Sequence, residues 1–256
     1  MYQPYSPIFF YDKFTEEDIA GLFTIEHFIY IAVIFATVAA LLFLSRNISE
    51  PQFERLHICL AVAISVTEVV KIILNIYKGA PYDYFIPLYF CGLFNFAIWL
   101  AKSKCDPLRR IGFSYITLGG IFAGFFFTLY PSTALAHDPI YHPSTIHAAF
   151  FHGAMLYFGI TALMRGFYKP KRSDIGLYFL FITSACFVAL ILNSTLGTNC
   201  MFLSNAFKLP LLTQLNEWFS PLYMIIAWLG QAYVLPILSL LVYNIIIKHQ
   251  SKEHSI

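Results

Sequence analysis

Glu68, Lys71 and Asn75 stand at i, i+3 and i+7, a spacing that puts a carboxylate, an ammonium and an amide on one face of a helix. The run that carries them is otherwise apolar. Charge at membrane depth is costly and turns toward a bundle interior, so the pair is either a neutralising contact that glues helices together or part of a functional site. Cys91 and Asn95 share a face of another run. His27 follows Glu26 at the head of the first apolar run, and His147 and His152 lie in a later one. Asn193, Ser194 and Thr195 close the next run, with Asn199 just beyond, and Gln231 sits in the last. Each has a plainer reading. A free thiol behaves as a small core hydrophobe, and a single histidine can be a hydrogen-bonding packing residue. His147 lies roughly 140° round a helix from His152, so the two do not face one site, and His147 reads as interfacial. His57, His249 and His254 lie near the ends of runs and carry no signal.

The elements that must position these groups are transmembrane helices. A helix needs about 20 apolar residues to cross a bilayer, and seven such spans are present, at 23–44, 56–77, 85–102, 111–130, 144–164, 175–195 and 221–247. The third starts near Pro87. The composition agrees, with 59% hydrophobic and 12% charged residues, where a soluble domain carries about 25% charged. The connections fix the orientation. Arg46, Arg55, Lys102, Lys104, Arg109, Arg110, Arg165, Lys169, Lys171, Arg172, Lys248 and Lys252 fall on one side, and only Lys13, Lys78 and Lys208 on the other. By the positive-inside rule the first side is cytoplasmic. The expected fold is therefore all-α, a polytopic membrane protein with a seven-transmembrane-helix bundle. Its N-terminus is outside and its C-terminus cytoplasmic. An extracytoplasmic segment spans 1–22, a single membrane domain 23–247, and a cytoplasmic tail 248–256.

Depth groups the polar residues. From the helical rise, Glu68 lies about 12 Å, Cys91 about 9 Å, His152 about 12 Å and Gln231 about 15 Å below the outer ends of their spans. Four helices thus place polar groups in one layer of the outer leaflet, which implies a polar cavity open to the outside or to that leaflet. The net charge of +2 comes without a basic stripe, so no nucleic-acid partner is expected. The five cysteines form no CxxC and no paired spacing, which speaks against a disulfide framework or a zinc site. One Cys and one His at similar depth do not supply the three or four ligands of a metal site, and no cofactor is expected. The first 22 residues are acidic, with Asp12, Glu16, Glu17 and Asp18, and do not read as a signal peptide. Asn47-Ile48-Ser49 matches a glycosylation sequon on the cytoplasmic side, where it is a chance match.

Several strings, taken in order, resemble the YwaF family of bacterial seven-helix membrane proteins, to which the eukaryotic transmembrane protein 164 acyltransferases look distantly related. They are His27, Glu68-x-x-Lys71, Pro87-Leu88-x-x-Cys91, Tyr130-Pro131, Phe151-His152-Gly153, the run Gly197-Thr198-Asn199-Cys200-Met201-Phe202-Leu203, and Trp218, Pro221 and Tyr223. The resemblance covers about 23–245. Tyr89 stands where the family usually has histidine, Gly92 where an acidic residue is common, and Cys200 where tyrosine is usual.

The resemblance implies acyl-transfer chemistry on membrane lipids, with Cys91 as the acyl carrier and His152 as its base, in a bacterial cytoplasmic membrane, and the expected function is a cysteine-dependent lipid acyltransferase or acyl hydrolase. A thiol with a free pKa of about 8.5 needs activation to attack an ester. His152 would take the proton and Lys71 stabilise the thiolate, with Glu68 orienting His152 or neutralising Lys71. Amides of Asn95, Asn193, Asn199 or Gln231 would donate to the tetrahedral oxyanion. Two other functions fit the residues. One is a transporter or solute-binding receptor built on Glu68 and Lys71, and the other is a purely structural role. The oligomeric state, the lipid and the acyl chain are not legible.

Overall fold

The computed structural model describes residues 18–77, 79–136, 138–206 and 210–253. Lys13, Lys78, Lys208 and His254 lie outside them, as does most of the expected 1–22 segment. The described residues are helical without strands. The helices are α1 (Ile25–Ser45), α2 (Glu50–Tyr77), α3 (Leu93–Leu100), α4 (Asp106–Tyr115), α5 (Ile121–Leu129), α6 (Pro143–Met164), α7 (Arg172–Leu196), α8 (Pro210–Leu229) and α9 (Leu235–Glu253). A π-helical turn, Ile116–Gly120, joins α4 to α5, and another, Gly230–Val234, joins α8 to α9. Six helical stretches are long and apolar enough to cross a membrane: Ile25–Ser45, Glu50–Tyr77, Asp106–Leu129, Pro143–Met164, Arg172–Leu196 and Leu212–Ile246.

Caps set where several helices begin and end. Thr24 Oγ1 accepts the His27 N–H at 3.2 Å to start α1. Lys171 N–H donates to Asp174 Oδ2 at 2.8 Å to start α7. Pro143 occupies the first position of α6, where its missing N–H costs nothing. Gly197, with φ of +67°, ends α7 in the left-handed conformation that glycine adopts without strain.

Two expected spans are corrected. The span over 85–102 holds a helix of only eight residues, Leu93–Leu100. Pro87 cannot donate a helical hydrogen bond and disfavours helical geometry in the residue before it. The irregular backbone is satisfied otherwise, since Leu88 O accepts the Met201 N–H at 3.0 Å. The depth assigned to Cys91 presumed a helix running from Phe85, and no such helix forms. The last span begins at Pro210 rather than 221, and Pro221 lies within α8 beside a non-helical Phe219. The depth of Gln231, counted from Pro221, falls with that start.

The chain divides into two compact units at Ile86–Pro87, Gly119–Gly120 and Arg165–Gly166. The first contains α1, α2, α5 and α6. Here α6 is the central element, 56% buried along its most apolar window against 22% for α1 and α2, and it packs on all three others. Tyr30, Ile34 and Val38 of α1 meet Leu156, Ala149 and Ile160 of α6 in its core. Gly124 of α5 lies so near α6 that a Cβ would stand 2.8 Å from His152 O. Small residues permit such approaches between membrane helices. At the other end of α6, Arg165 donates to Ser45 O, to Ile48 O at 3.2 Å and to Glu50 Oε1 at 3.1 Å.

The second unit contains α3, α4, α7, α8 and α9. α4 packs on α3 and α7, and α7 packs on the second π turn. The buried Asp174 carboxylate is paired with Arg110. Ser239 of α9 donates to Leu118 O at 2.5 Å, supplying a donor to a carbonyl in the first π turn. The outward faces of both units are apolar, with Phe28, Val66, Ile73, Phe187 and Ile191 among the exposed side chains. Such surface fits lipid contact.

Candidate functional site

Glu68 is buried on α2 and holds two partners. Lys71 Nζ lies 2.6 Å from Oε1. His147 Nε2 lies 3.4 Å from Oε2, a close contact without hydrogen-bond geometry. The expectation that His147 is merely interfacial is thus corrected. It faces α2 and completes a carboxylate flanked by two basic groups. Asn75, two turns from Glu68, donates to Tyr84 O at 3.2 Å and closes the end of α2.

His152 is not oriented by Glu68. Its Nδ1 lies 2.8 Å from Ala148 O. A carbonyl only accepts, so Nδ1 carries the hydrogen and Nε2 of the neutral ring carries a lone pair. The ring stacks on Phe127 of α5, centroids 3.5 Å apart and planes 6° from parallel, and Nε2 is buried with no hydrogen-bond partner. His27 has the opposite tautomer. Its Nδ1 accepts the Phe23 N–H at 2.9 Å, so the neutral ring has its hydrogen on Nε2, which is also buried and unpartnered. Phe23 has φ of +63°, a strained conformation for a residue with a side chain.

In the second unit Cys91 is a free, partly exposed thiol in the turn that leads into α3. Phe94 N–H donates to Cys91 O at 2.9 Å and Asn95 N–H to Gly92 O at 3.2 Å. Cys91 therefore stands at the N-terminal end of a helix, where peptide dipoles favour negative charge. Tyr115 of α4 donates its phenol hydrogen to Phe90 O and fixes this turn. Asn95, one turn on, keeps a buried Oδ1 without a partner.

Asn193, Asn199 and Gln231 act together on the loop after α7. Asn193 Oδ1 accepts from Thr198 Oγ1 and Cys200 N, each at 2.8 Å, and its amide donates to Cys200 O at 3.1 Å. Asn199 Oδ1 accepts from Ser204 N at 3.0 Å and Asn205 N at 2.9 Å, and its amide donates to Asn205 O at 3.0 Å. Gln231 donates to Met201 O at 3.0 Å and Ala227 O at 3.1 Å. Tyr223 donates to Phe202 O at 2.5 Å. These amides, expected as oxyanion donors, are spent on loop carbonyls. They hold Met201 and Phe202 at φ of +54° each, two adjacent left-handed residues, a conformation that persists only when its surroundings over-determine it.

The model of the TMEM164 family matches residues 22–243. The chain belongs to the TMEM164 family. No curated protein and no solved structure matches it. The matched range takes in both units and every site residue named so far, His27 and Gln231 included. Within this TMEM164-family chain Glu68, Lys71 and His147 are brought together. Asn193, Asn199 and Gln231 gather on one loop. His152 and His27 belong to the first unit, Cys91 and Asn95 to the second. Among the described residues no three His, Cys, Asp or Glu side chains could hold a metal ion.

The sequence reading missed Tyr115 and Phe127 as well as the role of His147. A histidine wheel on α6 had no apolar face to measure against, because that helix is buried on several sides.

Proposed function

We propose that this TMEM164-family protein is a membrane enzyme that moves or hydrolyses a fatty acyl chain of a membrane phospholipid, with Cys91 as nucleophile and His152 as base. The observation that carries the reading is the His152 tautomer. A ring held through Nδ1–H, with a buried free lone pair on Nε2, is set to accept a proton. Cys91 stands at the N-terminal end of α3, where peptide dipoles point their positive end toward it. Proton transfer from the Cys91 thiol to His152 Nε2 gives the thiolate, which attacks the ester carbonyl. The tetrahedral intermediate expels the lysophospholipid alkoxide, which takes the proton back from His152, and a Cys91 thioester remains. A second alcohol, or water, then attacks the thioester and regenerates the thiol. The quoted sequence strings support this reading through the YwaF resemblance.

The seventh crossing in this proposal is made by residues 85–102, irregular backbone followed by α3. Non-helical backbone at membrane depth is tolerated where protein covers it. The N-terminus is outside and the C-terminus in the cytoplasm of a bacterial cell membrane, in keeping with the distribution of Lys and Arg. The further site residues of this proposal are His27, Glu68 and Lys71 in the first unit, and Asn95, Asn193, Asn199 and Gln231 in the second.

The test is acyl transfer from a labelled phospholipid by the purified protein in liposomes. Cys91→Ala and His152→Ala are each expected to abolish it, and full transfer by Cys91→Ala would overturn the proposal. One observation favours a second reading. Glu68 flanked by Lys71 and His147 resembles a proton- or ligand-coupled centre, as in a transporter or solute-binding receptor. Flux or binding that survives Cys91→Ala and is lost in Glu68→Gln would select it.

A further inference from the structure

The seam between α1 and α6, inside the first unit, carries buried polar atoms that protein groups leave unsatisfied. His27, Tyr30, Thr145 and His152 are all more than nine-tenths buried. The Nε2 of each histidine and both hydroxyls have no hydrogen-bond partner. Buried polar groups are almost always paired, so several orphans on one seam call for an occupant.

Their placement follows from the helix contact. The buried stripe of α1 is His27, Tyr30, Ile34 and Val38. A Cβ on Gly153 of α6 would meet Ile34 Cγ2 at 3.6 Å and Val38 Cγ2 at 3.7 Å. Arg165, just past the end of α6, bonds Ser45 O at the end of α1, so the helices run parallel. One turn back from the Gly153–Ile34 level lie Ala149 and Tyr30, which share the same apolar cluster. Two turns back lie Thr145 and His27. Thr145, Ala149 and His152 fall at i, i+4 and i+7 and share a face. The His152 ring lies face to face with Phe127 of α5, which packs against the same cluster as Tyr30 and Ala149. Ala149, between Thr145 and His152 on that face, is small and packs against the cluster that holds Tyr30.

The hydrogen-bonding capacities are ordered. His27 Nε2 only donates, because its Nδ1 accepts from Phe23. His152 Nε2 only accepts, because its Nδ1 donates to Ala148. The hydroxyls of Tyr30 and Thr145 do both. We propose that this seam binds a short file of ordered water, donated to by His27, shared by Tyr30 and Thr145, and ending on His152 Nε2. Two to four polar partners and a little room are what a buried water requires. Binding stands on the seam alone. Its use as the path by which His152 exchanges its proton rests on the acyl-transfer reading.

The test uses the full chain in nanodiscs, with Tyr30→Phe, Thr145→Val and the double variant, and reads the thermal midpoint. Each change removes a hydroxyl that no protein group satisfies. With water in place each is expected to lower the midpoint by about 2–4 °C, and the double to lose less than the sum, because the two share a partner. A midpoint that rises or stays put means that the hydroxyls are orphans in fact, and overturns the site. Strictly additive losses mean separate partners and overturn the shared file. In parallel, Ala149→Leu fills the gap, and the ¹⁵N resonance of His152 Nε2 is expected to move toward that of an unbonded lone pair. An unmoved resonance overturns the link to His152. Neither readout uses enzyme activity, so loss of the acyl-transfer reading leaves this result standing.

Discussion

Glu68→Gln is the perturbation whose cost can be worked from the geometry. In the native protein one carboxylate oxygen holds Lys71 at 2.6 Å and the other faces His147 at 3.4 Å. Gln keeps the shape and removes the charge, so Lys71 is left without its counter-charge at membrane depth. Breaking a fully buried pair costs about 3–5 kcal/mol. The Lys71 side chain is 28% exposed, and its four-carbon stem lets the ammonium move toward water. The expected loss is therefore about 2–3 kcal/mol, roughly 5–10 °C in midpoint. Lys71→Met leaves Glu68 with His147 alone and is expected to cost a similar amount. The double variant Glu68→Gln with Lys71→Met removes both charges and is expected to recover most of the loss, since a buried pair replaced as a whole is near neutral. Denaturant or thermal unfolding in nanodiscs, run as a double-mutant cycle, measures the coupling. If Glu68→Gln alone lies within about 0.5 kcal/mol of the native protein, or the double loses the sum of the singles, the ion pair is a solvated contact and the reasoning fails.

Other outcomes follow from contacts on single residues. Gly124→Val places a branched side chain against His152 O and Leu156, where even a Cβ has 2.8 and 2.9 Å. It is expected to cost about 1–3 kcal/mol of stability, read by thermal unfolding. Asn193→Ala removes three hydrogen bonds from the 197–203 loop. Amide exchange at Cys200 and Met201 is expected to speed at least tenfold while α6 is unchanged, as measured by exchange mass spectrometry.

Much of the fold was legible because lipid and sequence speak the same language. Six apolar runs reappear as long helices, with ends set by caps such as Thr24 and Asp174 that hydropathy does not weigh. Residues 85–92 were misread for a physical reason. An apolar run reports shielding from water, not backbone geometry, and this one is half-buried, with Leu88 O accepting the Met201 N–H instead of a bond within its own helix. The polar residues were found, but not their partners. Glu68 was visible as a buried charge, yet its contact with His147 depends on how α6 is rotated. The amides of Asn193, Asn199 and Gln231 looked like site donors, because nothing in the residue type separates a donor aimed at substrate from one aimed at a strained loop.

Arg165 bears on how the membrane domain assembles. The short turn between α1 and α2 has carbonyls at Ser45 and Ile48 that bond to a guanidinium more than 110 residues later in the chain. While the first hairpin alone is in the bilayer, those carbonyls have no guanidinium to bond, and Glu50 has no Arg165 to meet. When α6 inserts, its last turn brings the charge that closes the turn, and Phe53 stacks beneath it at 3.9 Å. The hairpin thus waits in a loose state for a later segment of the nascent chain. A truncated chain ending before α6 lacks the guanidinium that ties this turn together, so the corner of the first unit is completed only once that later helix is present.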